Sequence, residues 1–312
     1  AVISRVLEAE GLRVAVLAQP DWHDAEAFRA MGRPRLGVFI GAGNLDSMVA
    51  HYTAAKRRRS EDFYSPGKRT GCRPDRAAIV YCNRAREAFG PDVPIILGSL
   101  EASLRRFAHY DYWDDSVRRA ILFDAPADLL VYGMGEAATI EIAHRLKKKQ
   151  SVRTMTDIPG TGYITRDPSV CKFDHITLPS FEDVRDDKRL YAEATRTEYA
   201  EHDPVRGRAM IQPCEGRYLV INPPAMPLDT KELDRVAERL AQARRIDCYS
   251  VGAASTFMAS ERMSVCSLVS VERMSAPRAA ASAAIELARA SRTSCGKLSN
   301  RLGSSRRVMR SL

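Results

Sequence analysis

The hydrophobic positions of the first 150 residues switch period repeatedly, and the switches mark out alternating helices and strands. In "VISRVLEAE" (2–10) apolar residues recur at three- and four-residue spacing, which predicts a helix closed by Gly11. "RVAVLAQP" (13–20) predicts a buried strand, and 21–32 a short helix with acids at its start and Gly32 at its end. "RLGVFIGAGN" (35–44) predicts a second strand running into a glycine-rich loop, "LDSMVAHYTAAKRRR" (45–59) a helix, and 60–76 a long polar loop. A helix over 77–90 and a third strand, "VPIILGS" (93–99), follow. The aromatic and charged stretch "RRFAHYDYWDD" (105–115) then leads to a helix near 116–123 and a fourth strand, "ADLLVYG" (127–133). The helix of 136–149 opens on Glu136 and ends in lysines, both favourable to its dipole.

Short apolar strands between helices imply parallel pairing in a three-layer α/β sheet over 1–150. The chain opens without Met and inside a helix, so a preceding first strand is expected to be lacking. Residues 151–238 change character. They combine a strand near 161–165, a charged helical stretch after 178, and a hairpin turning at Glu215–Gly216, then enter a helix at 228. That stretch reads as a linker leading into a further domain. Residues 239–312 are rich in Ala, Ser and Arg, with helical patterning only around 279–290. They predict a poorly ordered tail, of a composition that a shifted reading frame would also produce.

Charge sharpens this division. The net charge of +9 lies entirely in 239–312, with 13 basic and 4 acidic residues, whereas 1–238 carries 35 of each sign. A nucleic-acid reading would rest on the tail alone. Seven cysteines, at 72, 82, 171, 214, 248, 266 and 295, are odd in number and scattered. They argue against a disulfide framework and for a reducing cytoplasm. No CxxC or CxxxCxxC occurs, and no apolar run approaches the roughly 20 residues of a membrane span. A membrane partner is therefore not expected.

In open α/β sheets ligands bind beyond the carboxyl ends of the strands, and the loops there hold the candidate residues. After the second strand, Gly41 permits close backbone approach, Asn44 tolerates left-handed geometry, and Asp46 either caps a helix or meets a ligand hydroxyl. After the third, Glu101 reads as a helix cap or a ligand contact. After the fourth, Gly133 and Gly135 flank a tight turn before Glu136, whose carboxylate would repel a phosphate. In 105–115, His109 and Asp111 have the spacing of a chelating pair. Ion pairing of the aspartates with Arg105, Arg106, Arg118 or Arg119 competes with that reading, as does a helix start at Asp114–Asp115. Tyr110 and Trp113 complete the stretch. No catalytic triad order, HExxH or Walker A motif is present, so no catalytic or metal-ligating residue is assigned.

Several long stretches together carry a resemblance. "GNLDSMVAHYTAAKRRRSEDFYSPG", "RPDRAAIVYCNRAREAF", "ASLRRFAHYDYWDDSVRRAILFDAPADLLVYGMGE", "TDIPGTGYI", "LPSFEDV" and "YLVINPPAMPLDTKELD" resemble the N-terminal part of YgiQ-type radical SAM proteins, over residues 1 to about 238. The resemblance implies a cobalamin-binding-like Rossmann domain ahead of a radical SAM core. The parent would hold a [4Fe–4S] cluster on CxxxCxxC and cleave S-adenosylmethionine to a 5′-deoxyadenosyl radical, on an unknown substrate. Neither cofactor is expected on this chain, whose cysteines do not fit that motif. A corrinoid is also argued against, because the DxHxxG motif is absent. Ser99 stands where related sequences more often have a second glycine. His109, Tyr110 and Trp113 are expected to pack at, or contact substrate from, a lip facing the core that follows in the parent. The competing reading is a non-catalytic α/β binding module whose basic tail meets nucleic acid or an acidic partner.

Overall fold

The computed structural model describes residues 2–43, 45–242 and 267–272. In chain order the elements begin α1 (Val2–Ala9), β1 (Arg13–Ala18), α2 (Glu26–Arg29), β2 (Gly37–Gly41), α3 (Ser47–His51), α4 (Ala77–Phe89), β3 (Ile95–Gly98) and α5 (Ser99–Leu104). Next come β4 (His109–Asp111), β5 (Ser116–Arg118), α6 (Ile121–Asp124), β6 (Leu129–Val131), α7 (Glu136–Lys147), β7 (Thr161–Thr165) and β8 (His175–Thr177). The last are α8 (Phe181–Asp186), α9 (Lys188–Ala200), β9 (Ala209–Cys214), β10 (Arg217–Ile221), α10 (Thr230–Gln242) and β11 (Ser267–Glu272).

Among the described residues, nine strands form one mixed sheet in the order β1-β11-β2-β3-β6-β7-β10-β9-β8. β2, β3 and β6 pair in parallel, as strands joined by crossover helices do. Their side chains alternate between two cores. Val38, Ile40, Ile95, Leu97 and Leu130 pack with Phe28 of α2 and with Ala78, Tyr81 and Phe89 of α4. Phe39, Ile96, Leu129 and Val131 pack on the other face with Leu7 of α1 and Ile142 and Leu146 of α7. The three-layer α/β arrangement follows from that alternation. Ile95, Ile96 and Leu97 are each at most 1% exposed, and burying each stabilises the domain by roughly 1.5–3 kcal/mol.

The structure departs from the sequence-based expectations in four places. First, the strands of 151–238 continue the sheet rather than standing apart as a linker: β7 is antiparallel to β6, and β10, β9 and β8 follow outward. β8 had no signal, being three residues of which two are exposed. Second, α3 ends at His51 instead of running to 59. Tyr52 turns extended (φ −124°, ψ 150°), and its hydroxyl donates to Asp75 at 2.7 Å. His51 Nδ1 also meets Asp75, at 2.7 Å, and Arg59 N–H reaches back to the His51 carbonyl at 2.7 Å. Tertiary contacts there override helix propensity. Third, 105–123 holds a β4–β5 hairpin and the short α6 in place of a helix starting at Asp114–Asp115. Asp115 adopts φ 51° in the hairpin turn, and Asp124 engages both Arg118 (3.2 Å) and Arg119 (2.7 Å). Fourth, the tail contains one described strand, β11, lying between β1 and β2 and antiparallel to both. The helical patterning of 279–290 lies outside the described residues.

The hairpin expected at Glu215–Gly216 is present. Cys214 pairs with Arg217, and both turn residues have positive φ (50° and 70°), as a two-residue type I′ turn requires.

Candidate functional site at the carboxyl edge of the sheet

The carboxyl ends of β2 and β3 touch. A Cβ on Gly41 would stand 3.0 Å from the Ser99 Cβ, so glycine lets the two loops close on each other. Ser99 holds the left-handed φ of 73°, strained for a side chain other than glycine, and its hydroxyl accepts from Ala42 N–H at 3.2 Å. Asp46 caps α3, accepting from Met48 N–H (2.9 Å) and Val49 N–H (3.3 Å), and its other oxygen takes the Arg105 guanidinium. Glu101, fully buried, accepts from Ser47 N–H at 2.9 Å and Ala78 N–H at 3.0 Å. It therefore ties the starts of α3 and α4 to α5, satisfying donors that helix ends leave open. Asn44 lies outside the described residues.

Beyond this knot the β4–β5 hairpin forms a lip. His109 Nδ1 faces the Phe107 carbonyl at 3.0 Å, while Nε2 is buried with no hydrogen-bond partner among the described residues. Burial pushes the imidazole below its ordinary value, so it is neutral at pH 7. Asp111 accepts from Arg76 at 2.9 Å and from the Trp113 and Asp114 amides at 2.9 and 3.3 Å. Burial alone would raise its carboxyl, but these donors hold it below the usual carboxylate range. The chelating pair is thus engaged elsewhere: His109 with a backbone carbonyl, Asp111 with an arginine. Among the described residues no cluster of three His, Cys, Asp or Glu side chains is placed to hold a metal. Trp113 packs against Tyr52 and Tyr112 at ring-centroid distances of 5.4 and 5.3 Å, and Tyr110 and Tyr112 stand exposed at the rim. Tyr110 donates from its hydroxyl to Asp115 and from its amide to the Tyr191 hydroxyl at 3.1 Å.

After β6, Tyr132 donates to the Asn222 carbonyl at 2.5 Å, Gly133 takes φ 66°, and Gly135 opens α7 so close to Val131 that a Cβ would meet it at 2.8 Å. Glu136 follows in the first turn of α7, with a buried oxygen lacking a partner among the described residues. Arg106 stacks on Phe107 and Tyr132. The fold therefore gathers Gly41, Asp46, Glu101 and Arg105 into one hydrogen-bonded knot and sets His109, Tyr110 and Trp113 on the adjoining lip. The turn at Gly133, Gly135 and Glu136 lies on the next strand of the same edge.

Sequence reasoning missed how the 52–76 loop is fastened. Arg73 and Asp62 form an ion pair with both side chains 1% exposed, and Asp62 also accepts from Ser65 Oγ at 2.6 Å and Tyr64 N–H at 2.9 Å. A buried arginine usually pairs with a carboxylate, but only the fold decides which one. An open cavity of about 680 Å³ lies elsewhere, beside α6 and β7, lined in part by Asn83, Asp124, Arg153, Arg166 and Arg217.

This edge, built from loops after parallel strands, is matched in sequence as well. Residues 1–260 match the family model described as Radical SAM N-terminal. The chain belongs to the radical SAM N-terminal family. Relatives include a UPF0313 protein of Clostridium botulinum (strain 657 / Type Ba4), 52% identical over 236 residues, covering 76% of this chain and 37% of that protein. A UPF0313 protein of Clostridium perfringens (strain SM101 / Type A) is 53% identical over 236 residues, covering 76% of this chain and 36% of its own. The chain thus spans little more than a third of the length of these curated relatives. The radical SAM N-terminal match runs to residue 260, past the compositional break near 238. No solved structure matches. No helix among the described residues is long and apolar enough to cross a membrane.

The radical SAM cluster can be tested against the cysteines present. Cys82 and Cys214 are buried, and burial pushes both thiols up, Cys214 to about 12. Such thiols resist forming the thiolates a cluster needs. Cys72 and Cys171 are half-buried and far apart in sequence, and no CxxxCxxC occurs anywhere in the 312 residues. These residues do not fit a [4Fe–4S] cluster.

Proposed function

We propose that this chain is the N-terminal α/β module of a cytoplasmic radical SAM enzyme, and that it carries no radical chemistry by itself. In the parent, a [4Fe–4S] cluster would supply reductive cleavage of S-adenosylmethionine, on a substrate the sequence does not identify. The family match together with the lack of a CxxxCxxC is the observation that carries this reading. The module's part is structural and ligand-facing. Three parallel strands present one carboxyl edge, and the lip of His109, Tyr110 and Trp113 adjoining it supports a role in facing a radical SAM core or its substrate. The cobalamin-binding-like Rossmann description is supported by that parallel core and by β1 running in the same direction as β2, since both are antiparallel to β11. A corrinoid has no counterpart in the residues: the DxHxxG motif is absent, and His109 faces a backbone carbonyl.

Anaerobic iron–sulfur reconstitution tests the proposal. The chain is expected to give no stable thiolate–iron charge-transfer band and no 5′-deoxyadenosine from S-adenosylmethionine. A stable band accompanied by cleavage would overturn it.

A further inference from the structure

Among the described residues, the buried arginines meet carboxylates with one exception. Arg73 pairs with Asp62, Arg76 with Asp111 and Asp114, Arg86 with Asp128, and Arg105 with Asp46. Arg106, half-buried, has no carboxylate within ion-pair distance among the described residues. One guanidinium nitrogen donates to the Ser103 carbonyl at 2.6 Å, another stands 3.5 Å from His202 Nδ1, and Nε is buried with no partner among the described residues. The Phe107 and Tyr132 rings lie 5.1 and 5.0 Å from its central carbon, and rings so placed hold a guanidinium plane in a fixed orientation. Arg106 follows α5, which starts at the carboxyl end of β3, and Tyr132 directly follows β6. The guanidinium therefore stands where open α/β sheets take their ligands.

We propose that Arg106 is the anchor of a binding site for a small molecule bearing a carboxylate. The planar fork of the guanidinium matches a carboxylate in bidentate fashion, and the aromatic rings beside it lower the competing hydration. The surroundings favour a single negative charge at the fork itself. Glu198 is an acidic group whose charge Arg106 feels, and burial pushes it up to about 7 against the pull of that arginine, so near neutrality it repels an incoming anion less than an ordinary carboxylate would. Burial and the Arg106 charge lower His202, leaving it neutral and no rival cation. A phosphate dianion brings both charges to the fork beside Glu198 and gains less than succinate, whose two charges sit on separate carboxylates. The proposal rests on reading the carboxyl edge as the ligand-facing side. It is measured by binding, so it can fail while the radical SAM reading stands, and the reverse.

The test uses the full 312-residue chain, succinate and acetate as probes, and chloride at matched ionic strength as control. Succinate and acetate are expected to raise the unfolding midpoint above the chloride control, and Arg106→Met to weaken succinate binding about tenfold or more. A second readout needs no variant. Phenylglyoxal labelling followed by peptide mass mapping is expected to show Arg106 protected by succinate, with the exposed Arg153 and Arg166 unaffected. Equal protection of all three arginines, no protection of Arg106, or stronger protection by inorganic phosphate than by succinate overturns the proposal.

Discussion

The Asp62–Arg73 pair offers the sharpest test of how this edge is held. Three contacts join the side chains: Arg73 Nε to Oδ2 at 3.3 Å, and Nη2 to Oδ1 and Oδ2 at 3.0 and 2.9 Å. Both side chains are 1% exposed, so water cannot replace a lost partner. Removing one member of a buried pair costs about 3–5 kcal/mol, because the other charge stays buried. Asp62→Asn keeps one acceptor and is expected near 3 kcal/mol, with Asp62→Ala near 5. For a domain of this size 3 kcal/mol is about 6–12 °C in the unfolding midpoint. Should the loop open on its own, the Ser65 amide, which donates to the Asp62 carbonyl at 3.1 Å, exchanges roughly a hundredfold faster. The double variant Asp62→Leu with Arg73→Met is expected to recover most of the loss. Burial would raise the Asp62 carboxyl, but Ser65, Tyr64 N–H and Arg73 together hold it below its ordinary value. A depressed carboxyl stabilises fully above the unfolded pKa of about 4 and loses that contribution as the pH falls through the folded value. Asp62→Asn should therefore flatten the acid limb of the stability profile. A loss under about 1 kcal/mol, with unchanged Ser65 exchange, would refute the reasoning.

Two further substitutions probe the loops after β2 and β3. Ser99→Ala keeps the strained φ and loses the hydrogen bond from Ala42 N–H to Ser99 Oγ, so it should cost about 0.5–1.5 kcal/mol, whereas Ser99→Gly relieves the strain. Glycine should therefore be more stable than alanine at 99 in urea melts, inverting the usual order, and the usual order would sink the argument. Glu101→Gln leaves one of two buried amides facing a donor and should cost about 1–3 kcal/mol by the same measurement, and a neutral effect would mean that Glu101 does not fasten α3 and α4.

What the sequence disclosed was what local pattern encodes. The apolar runs of β1, β2, β3 and β6 and the periodic helices α1, α4 and α7 repeat their physics within a few residues, and so does the Glu215–Gly216 turn. The misread stretches are those where distant partners decide. Tyr52 leaves the helix for Asp75, twenty-three residues on, and Asp111 and Asp114 are drawn to Arg76, thirty-five and thirty-eight residues back. At the edge, Asp46 was readable as a cap because its donors are two and three residues away. Glu101 was readable as a polar group near a helix start, but its partners, on α3 and α4, are 54 and 23 residues away. Arg106 shows the same limit: its type was visible, and its lack of a carboxylate became visible only in three dimensions.

The two-residue turn at Glu215–Gly216 bears on how the sheet comes into being. β9 and β10 are joined by the shortest connection in the sheet, whereas β2, β3 and β6 meet only after helical crossovers have looped out between them. Hairpins close in about 1–10 μs, and pairings distant in sequence wait on larger entropic losses. The antiparallel wing is thus positioned to form early and to offer β10 as an edge for β7, with the parallel strands, and the carboxyl edge they build, consolidating afterwards.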